Sequence, residues 1–145
     1  GFETQPQYLE SPLPPAALGT TMLAGKPDHI SVRRNGTRID AIRVDDFKYS
    51  AASSGTARQL KQSFQIPVYA YLAAHATSAE PGVQIEGRYL LLRSPVNSVV
   101  SHAIDAEVFD EVRGRIEALL DKVREGKLEP HPADRHASRM YASVQ

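Results

Sequence analysis

An Asn35-Gly36 pair set between two stretches of alternating polar and apolar side chains is the feature that most limits the fold of this chain. Asn-Gly flanked by alternation is a strong local signal for a β-hairpin, because both residues tolerate the positive φ of a primed turn. Before the pair, Lys26-Pro27-Asp28-His29-Ile30-Ser31-Val32-Arg33 has the period of a half-buried strand. After it, residues 37–49 alternate again, with Ile39 and later apolar residues offering buried faces. Residues 20–50 therefore read as a hairpin of two long strands, begun by residues 20–25.

The period then changes. Residues 50–55 are Ser, Ala and Gly, a loop, and Thr56 is a plausible N-cap. Residues 57–76 carry Leu60, Phe64, Val68 and Leu72 at steps of four, a helical stripe. Pro67 lies inside it and must either kink one helix or mark the join of two. Residues 83–93 read as a strand buried on both faces near Leu90-Leu91-Leu92, and residues 98–104 as another. Asp105 can cap a last helix with Val108, Val112, Ile116, Leu119 and Val123 on its apolar side and Gly126 just past its end. In the Pro-rich opening, Gln7-Tyr8-Leu9-Glu10 is placed as a short edge strand. Strand, hairpin, helix, two strands and helix make a mixed α/β layer fold, and 145 residues fit one domain.

Composition removes several classes of function. With no Cys, the chain can build neither a disulfide framework nor a thiolate zinc or iron–sulfur site. No apolar run approaches the roughly 20 residues that span a bilayer, and no basic-plus-apolar leader opens the chain. A soluble, cytoplasmic protein with no membrane partner is expected. The opening Gly1-Phe2, without Met, is expected of a piece of a larger protein. Seventeen basic residues balance seventeen acidic ones, which argues against nonspecific coating of nucleic acid through one large basic field. The charge is uneven, however: residues 26–93 hold 10 Lys and Arg against 6 Asp and Glu, a local excess of +4.

Chemistry is concentrated in the hairpin. Asp28 is assigned to its first strand and Asp46 to its second, and Lys48 shares a face with Asp46 because residues i and i+2 of a strand point the same way. Phe47 would point oppositely, into the core. Two carboxylates and a backbone carbonyl make a hard-oxygen site suited to Mg²⁺, and a lysine beside it can hold a water or neutralise developing negative charge. Such a set suits hydrolysis of a phosphodiester. The plain alternative is a solvated strand face with weak ion pairs. Asp40 shares the face of Asp46, but roughly 20 Å away at about 3.3 Å per residue, and Asp45 faces the other way. His75, His102, His131 and His136 show no metal-ligand spacing. Ser53-Ser54-Gly55 lacks the frame of a nucleophile elbow, and no Walker-type phosphate loop is present. Arg33, Arg34, Arg58 and Lys61 are candidate phosphate contacts.

Pro27-Asp28, followed 18 residues after Asp28 by Asp46-Phe47-Lys48, resembles the motif of the PD-(D/E)XK nuclease superfamily. Gly25-Lys26-Pro27-Asp28-His29-Ile30 and Val44-Asp45-Asp46-Phe47-Lys48-Tyr49 are similar to the two motif strands of its RecB/AddB-like group. Gln65-Ile66-Pro67-Val68-Tyr69-Ala70 resembles the Q-L-P-L-Y-A helix motif of that group, and Val123 to Pro132 its closing segment. The resemblance implies a restriction-endonuclease-like α/β core, a central mixed sheet flanked by helices. It also implies Mg²⁺- or Mn²⁺-dependent hydrolysis of DNA, in DNA repair or recombination and with a helicase subunit or domain as partner. Asp28 and Asp46 would bind the metal with the Phe47 carbonyl, Lys48 would position water or stabilise charge, and Gln65 and Tyr69 would support the site and touch DNA.

The chain departs from the group twice. Many relatives follow the closing segment with iron–sulfur cysteines, which would fall near Ala137, Met140 and Gln145, so residues 133–145 form a degenerate tail and no cluster is expected. No His precedes His29, so the metal-ligand His usual upstream of the first motif strand either belongs to a segment trimmed off before Gly1 or is lacking. Glu10 is the one upstream acid placed to support the site. These departures open a second reading, a catalytically degenerate module kept for DNA binding or protein docking.

Overall fold

A computed structural model describes residues 1–9, 11–96 and 98–126. Seven strands and three α-helices follow in the order β1 (Phe2–Thr4), β2 (Ala16–Leu18), β3 (Thr21–Leu23), β4 (His29–Asn35), β5 (Arg38–Lys48), α1 (Thr56–Gln62), α2 (Gln65–Ala76), β6 (Gln84–Leu91), β7 (Val99–Ala103) and α3 (Ala106–Arg124). The expected α/β architecture is present: a central five-stranded sheet, ordered β1-β4-β5-β6-β7, flanked by helices. The sheet is mixed, because β5 and β6 are parallel while the other neighbours run antiparallel. A parallel pair needs a long crossover, and α1 and α2 supply it. Among the described residues no helix is long and apolar enough to cross a membrane.

The hairpin is β4 and β5. Its register closes at Asn35 opposite Arg38, so the loop residues are Gly36 and Thr37 rather than Asn35 and Gly36. Gly36, at φ 65°, takes the first loop position, the one that a primed turn reserves for a positive φ. The hairpin is shorter at its start than the alternation indicated. Residues 21–23 pair with residues 16–18 in a separate two-stranded sheet, and Asp28 lies immediately before β4 instead of within it. Asp40 is the extra residue of a β-bulge, since Arg33 pairs with Ala41 and Arg34 with Ile39. The bulge turns its carboxylate to Arg33, 2.9 Å away, and takes it off the face of Asp46.

Other elements follow or correct the local reading. The edge strand is Phe2–Thr4, while Pro6–Tyr8 forms one turn of 3₁₀-helix, so Gln7 and Tyr8 are not strand. Pro67 marks a join: α1 ends at Gln62, and Pro67 falls in the first turn of α2, where its missing N–H has no helical partner to lose. Thr56 is the first residue of α1 and Gly55 its N-cap; the Thr56 hydroxyl instead accepts from the Ser53 N–H at 2.9 Å. Asp105 does cap α3, accepting from the Val108 N–H at 3.0 Å, and Gly126 follows the helix at φ 69°. The buried stripe of α3 is Val112, Ile116 and Leu120, and Val123 is exposed.

One face of the sheet carries the core. Ile30 and Val32 of β4, Ile42 and Val44 of β5, and Ile85 and Leu91 of β6 pack under Ile66, Ala70, Leu72 and Ala73 of α2 and Leu60 of α1. The strand β6 is buried on this face only; its other face carries Gln84, Glu86, Arg88 and Leu90, and Leu92 beyond it is exposed. Gly87 lets α2 approach closely, because a Cβ there would stand 2.2 Å from Cγ2 of Ile66.

Candidate active site

The carboxylates of Asp28 and Asp46 meet at the end of the β4–β5 ladder. The last paired residues are His29 and Asp45. One step beyond, Asp28 replaces a backbone partner: its Oδ2 accepts from the Phe47 N–H at 2.8 Å. Asp46 points to the helix-covered face and is nearly buried. As the i, i+2 rule requires, Lys48 lies on the same face, with Nζ 2.7 Å from Asp46 Oδ2. That contact is a close ion pair on a buried carboxylate oxygen.

Two corrections attach to this strand end. Phe47 does not enter the core; its ring is 44% exposed on the opposite face of the sheet. Glu10 lies outside the described residues, as do His131, His136 and the tail positions Ala137, Met140 and Gln145.

The helix motif arrives from across the core. Gln65 and Tyr69 stand one turn apart at the start of α2, and the Gln65 amide donates to the Tyr69 hydroxyl. Tyr69 packs over Gly25, where a Cβ would come within 2.5 Å of its ring, so the glycine of the first motif makes room for the tyrosine. Burial, followed by the nearby charges of Asp46 and Asp28, raises the Tyr69 pKa and keeps its hydroxyl protonated.

Electrostatics divide the labour between Asp46 and Lys48. Burial raises the Asp46 pKa above the usual carboxylate value; Lys48 opposes this and the neighbouring Asp28 adds to it. For Lys48, burial pulls its pKa down, but the contact with Asp46 and the charges around it win, and the net shift is upward. Lys48 is therefore a stable ammonium at neutral pH, suited to donating hydrogen bonds and offsetting negative charge rather than accepting a proton.

These groups fit a divalent cation. Asp46 offers a buried carboxylate, its Oδ2 in a 2.7 Å ion pair with Lys48, beside the carboxylate of Asp28, and two such anions side by side favour further positive charge. Among the described residues no cluster of three or more His, Cys, Asp or Glu is assembled. A pair of carboxylates matches Mg²⁺, which is commonly held by one or two carboxylates and completes its shell with water and substrate phosphate.

The surroundings extend the site. Lys48 Nζ lies 5.1 Å from the centre of the Tyr89 ring on β6, a residue that local sequence pattern does not single out. A groove of about 420 Å³ runs from these two residues past Ser50, Ser53, Thr56 and Gln59. A larger cavity, about 560 Å³, lies on the reverse face of the sheet against Phe2, Arg43 and Glu86, away from the paired carboxylates. Of the basic candidates, Arg58 and Lys61 are exposed on α1, whose Gln59 lines the groove. Arg33 and Arg34 lie toward the far end of β4, where Arg33 pairs with Asp40 and Arg34 reaches the Thr37 carbonyl.

A family model, that of the PD-(D/E)XK nuclease superfamily, matches residues 2–139. The chain belongs to the PD-(D/E)XK nuclease superfamily. Its mixed sheet with flanking helices is consistent with the restriction-endonuclease-like fold of that superfamily. No curated protein and no solved structure matches the chain. Within this superfamily domain, Asp28, Asp46 and Lys48 are assembled at one strand end, with Gln65 and Tyr69 beside them.

Proposed function

We propose that this chain is a Mg²⁺- or Mn²⁺-dependent deoxyribonuclease that hydrolyses DNA phosphodiester bonds, of the RecB/AddB-like kind. It would act in DNA repair or recombination with a helicase subunit or domain. The observation that carries the chemistry is the convergence of Asp28 and Asp46 at one strand end with the Lys48 ammonium 2.7 Å from Asp46. The agreement of Gly25-Lys26-Pro27-Asp28, Asp46-Phe47-Lys48 and Gln65-Ile66-Pro67-Val68-Tyr69 with the motifs of that group supports the narrower assignment.

Asp28, Asp46 and the Phe47 carbonyl would hold the cation, which when bound polarises the phosphate and acidifies water. The Lys48 ammonium would donate to the attacking water or to a nonbridging phosphate oxygen, where its charge counts for more in a partly buried site than in bulk water. Tyr69, protonated and held by Gln65, would offer a donor to the same phosphate. The groove beside Lys48 and Tyr89 would take the neighbouring nucleotide.

The test is cleavage of single- and double-stranded DNA with Mg²⁺ or Mn²⁺ and with chelator. Cation-dependent cleavage is expected, and Asp46→Ala or Lys48→Ala should abolish it while the fold is kept. Unchanged cleavage in either variant would sink the assignment.

A further inference from the structure

Behind the paired carboxylates, on the reverse face of the same strands, lies a row of polar side chains. Asp45, 0% exposed, accepts from Arg88 through both oxygens, at 2.7 Å from Nε and 2.9 Å from Nη2. His29 Nδ1 lies 2.7 Å from Asp45 Oδ2, and its Nε2 lies 2.9 Å from the Thr4 hydroxyl. His29 and Asp45 are direct cross-strand partners, as are Asp45 and Arg88. The row thus ties β1, β4, β5 and β6 together at one level. Each main member is also the chain neighbour of a residue on the other face: His29 of Asp28, Asp45 of Asp46, and Arg88 of Tyr89.

We propose that Asp45, Arg88 and His29 are positioning residues that hold the strands carrying Asp28 and Asp46 at the separation a divalent cation needs. This rests on the nuclease reading of the front face. A planar guanidinium bonded through two N–H groups fixes both distance and angle between β5 and β6, and the single His29 contact sets the spacing between β5 and β4. A displacement of either strand would move a carboxylate directly, because neighbouring residues share a peptide unit. Partners lying behind metal ligands commonly change metal affinity by 10–100-fold when removed.

The same strands contain an internal control. Arg43 and Glu86 are also direct β5–β6 partners on the reverse face, two residues away, joined by a looser 3.5 Å ion pair. Mn²⁺ alone is titrated by calorimetry into the full chain and into Arg88→Gln, the double variant Asp45→Asn with Arg88→Gln, and Glu86→Gln. We expect Arg88→Gln to weaken Mn²⁺ binding about tenfold or more. The double variant, which leaves no unpaired buried charge, should regain thermal stability yet bind Mn²⁺ as weakly, and Glu86→Gln should stay within about twofold of wild type. Wild-type affinity in Arg88→Gln overturns the proposal, as does equal weakening in Glu86→Gln. So does affinity that returns with stability in the double variant, since that marks the row as structural only. A wild-type chain that binds no Mn²⁺ overturns the metal-site reading itself, and this inference with it.

Discussion

Replacing Gly87 with Ala tests how the helix motif is delivered to the site. The new Cβ would stand 2.2 Å from Cγ2 of Ile66, whereas carbon atoms pack at about 3.5–4.0 Å. The overlap is therefore roughly 1.3–1.8 Å. Ile66 cannot swing the methyl aside, because Cγ2 is bonded to Cβ and a β-branched residue in a helix has essentially one χ1 rotamer. The first turn of α2 must lift instead, carrying Gln65 and Tyr69 with it. Overpacking of a tight core costs about 1–3 kcal/mol, and a backbone-anchored clash of this size belongs at the upper end. At roughly 2–4 °C per kcal/mol for a domain of this size, Tm should fall by about 6–12 °C. Urea and thermal denaturation measure it. Combining Gly87→Ala with Ile66→Ala should give a double variant less destabilised than the sum of the two singles, because the second change removes the clash. A loss below about 0.5 kcal/mol for Gly87→Ala, or strict additivity in the double variant, would refute the reasoning.

Gly114→Ala is the mirror of Gly87→Ala: the site is exposed in the middle of α3 with open space around it, so a gain of about 0.5–1 kcal/mol is expected in the same denaturation assay. Asp105→Ala removes the side-chain acceptor for the Val108 N–H and should cost about 1 kcal/mol. Asp46→Asn should stabilise the metal-free chain at neutral pH. The Asp46 pKa is raised by burial and by Asp28 despite Lys48, so its ionised form is a cost to folding that appears as pH rises through that raised value. The advantage of the Asn variant should shrink as pH falls toward the ordinary carboxylate range and vanish below it, a trend that Tm measured against pH will show.

How much of this was legible beforehand depended on whether the information was local. The hairpin, the break at Pro67 and the Asp105 cap are written in neighbouring residues, and the structure has all three. Asp46 and Lys48 share a face because strand parity alone requires it. Phe47 was misplaced by that same parity, which gives opposite faces but does not say that both are covered. The described helices lie over the Asp46 side, so the ring is left exposed. The role of Asp45 is not local, since its burial depends on Arg88, 43 residues away and aligned by the parallel β5–β6 register. Tyr89 likewise reaches Lys48 only through that register. The short pair β2–β3 is not separable from the hairpin by pattern, because three-residue strands carry too little alternation to set a boundary.

Asp28 and Asp46 are proposed to form one cation site beside Lys48. Its most direct measurement is the anomalous scattering of a crystal soaked in Mn²⁺. A peak is expected between the two carboxylates in the wild type and none there in Asp46→Asn. A soaked wild-type crystal with no peak there, or with Mn²⁺ bound only elsewhere, would contradict it.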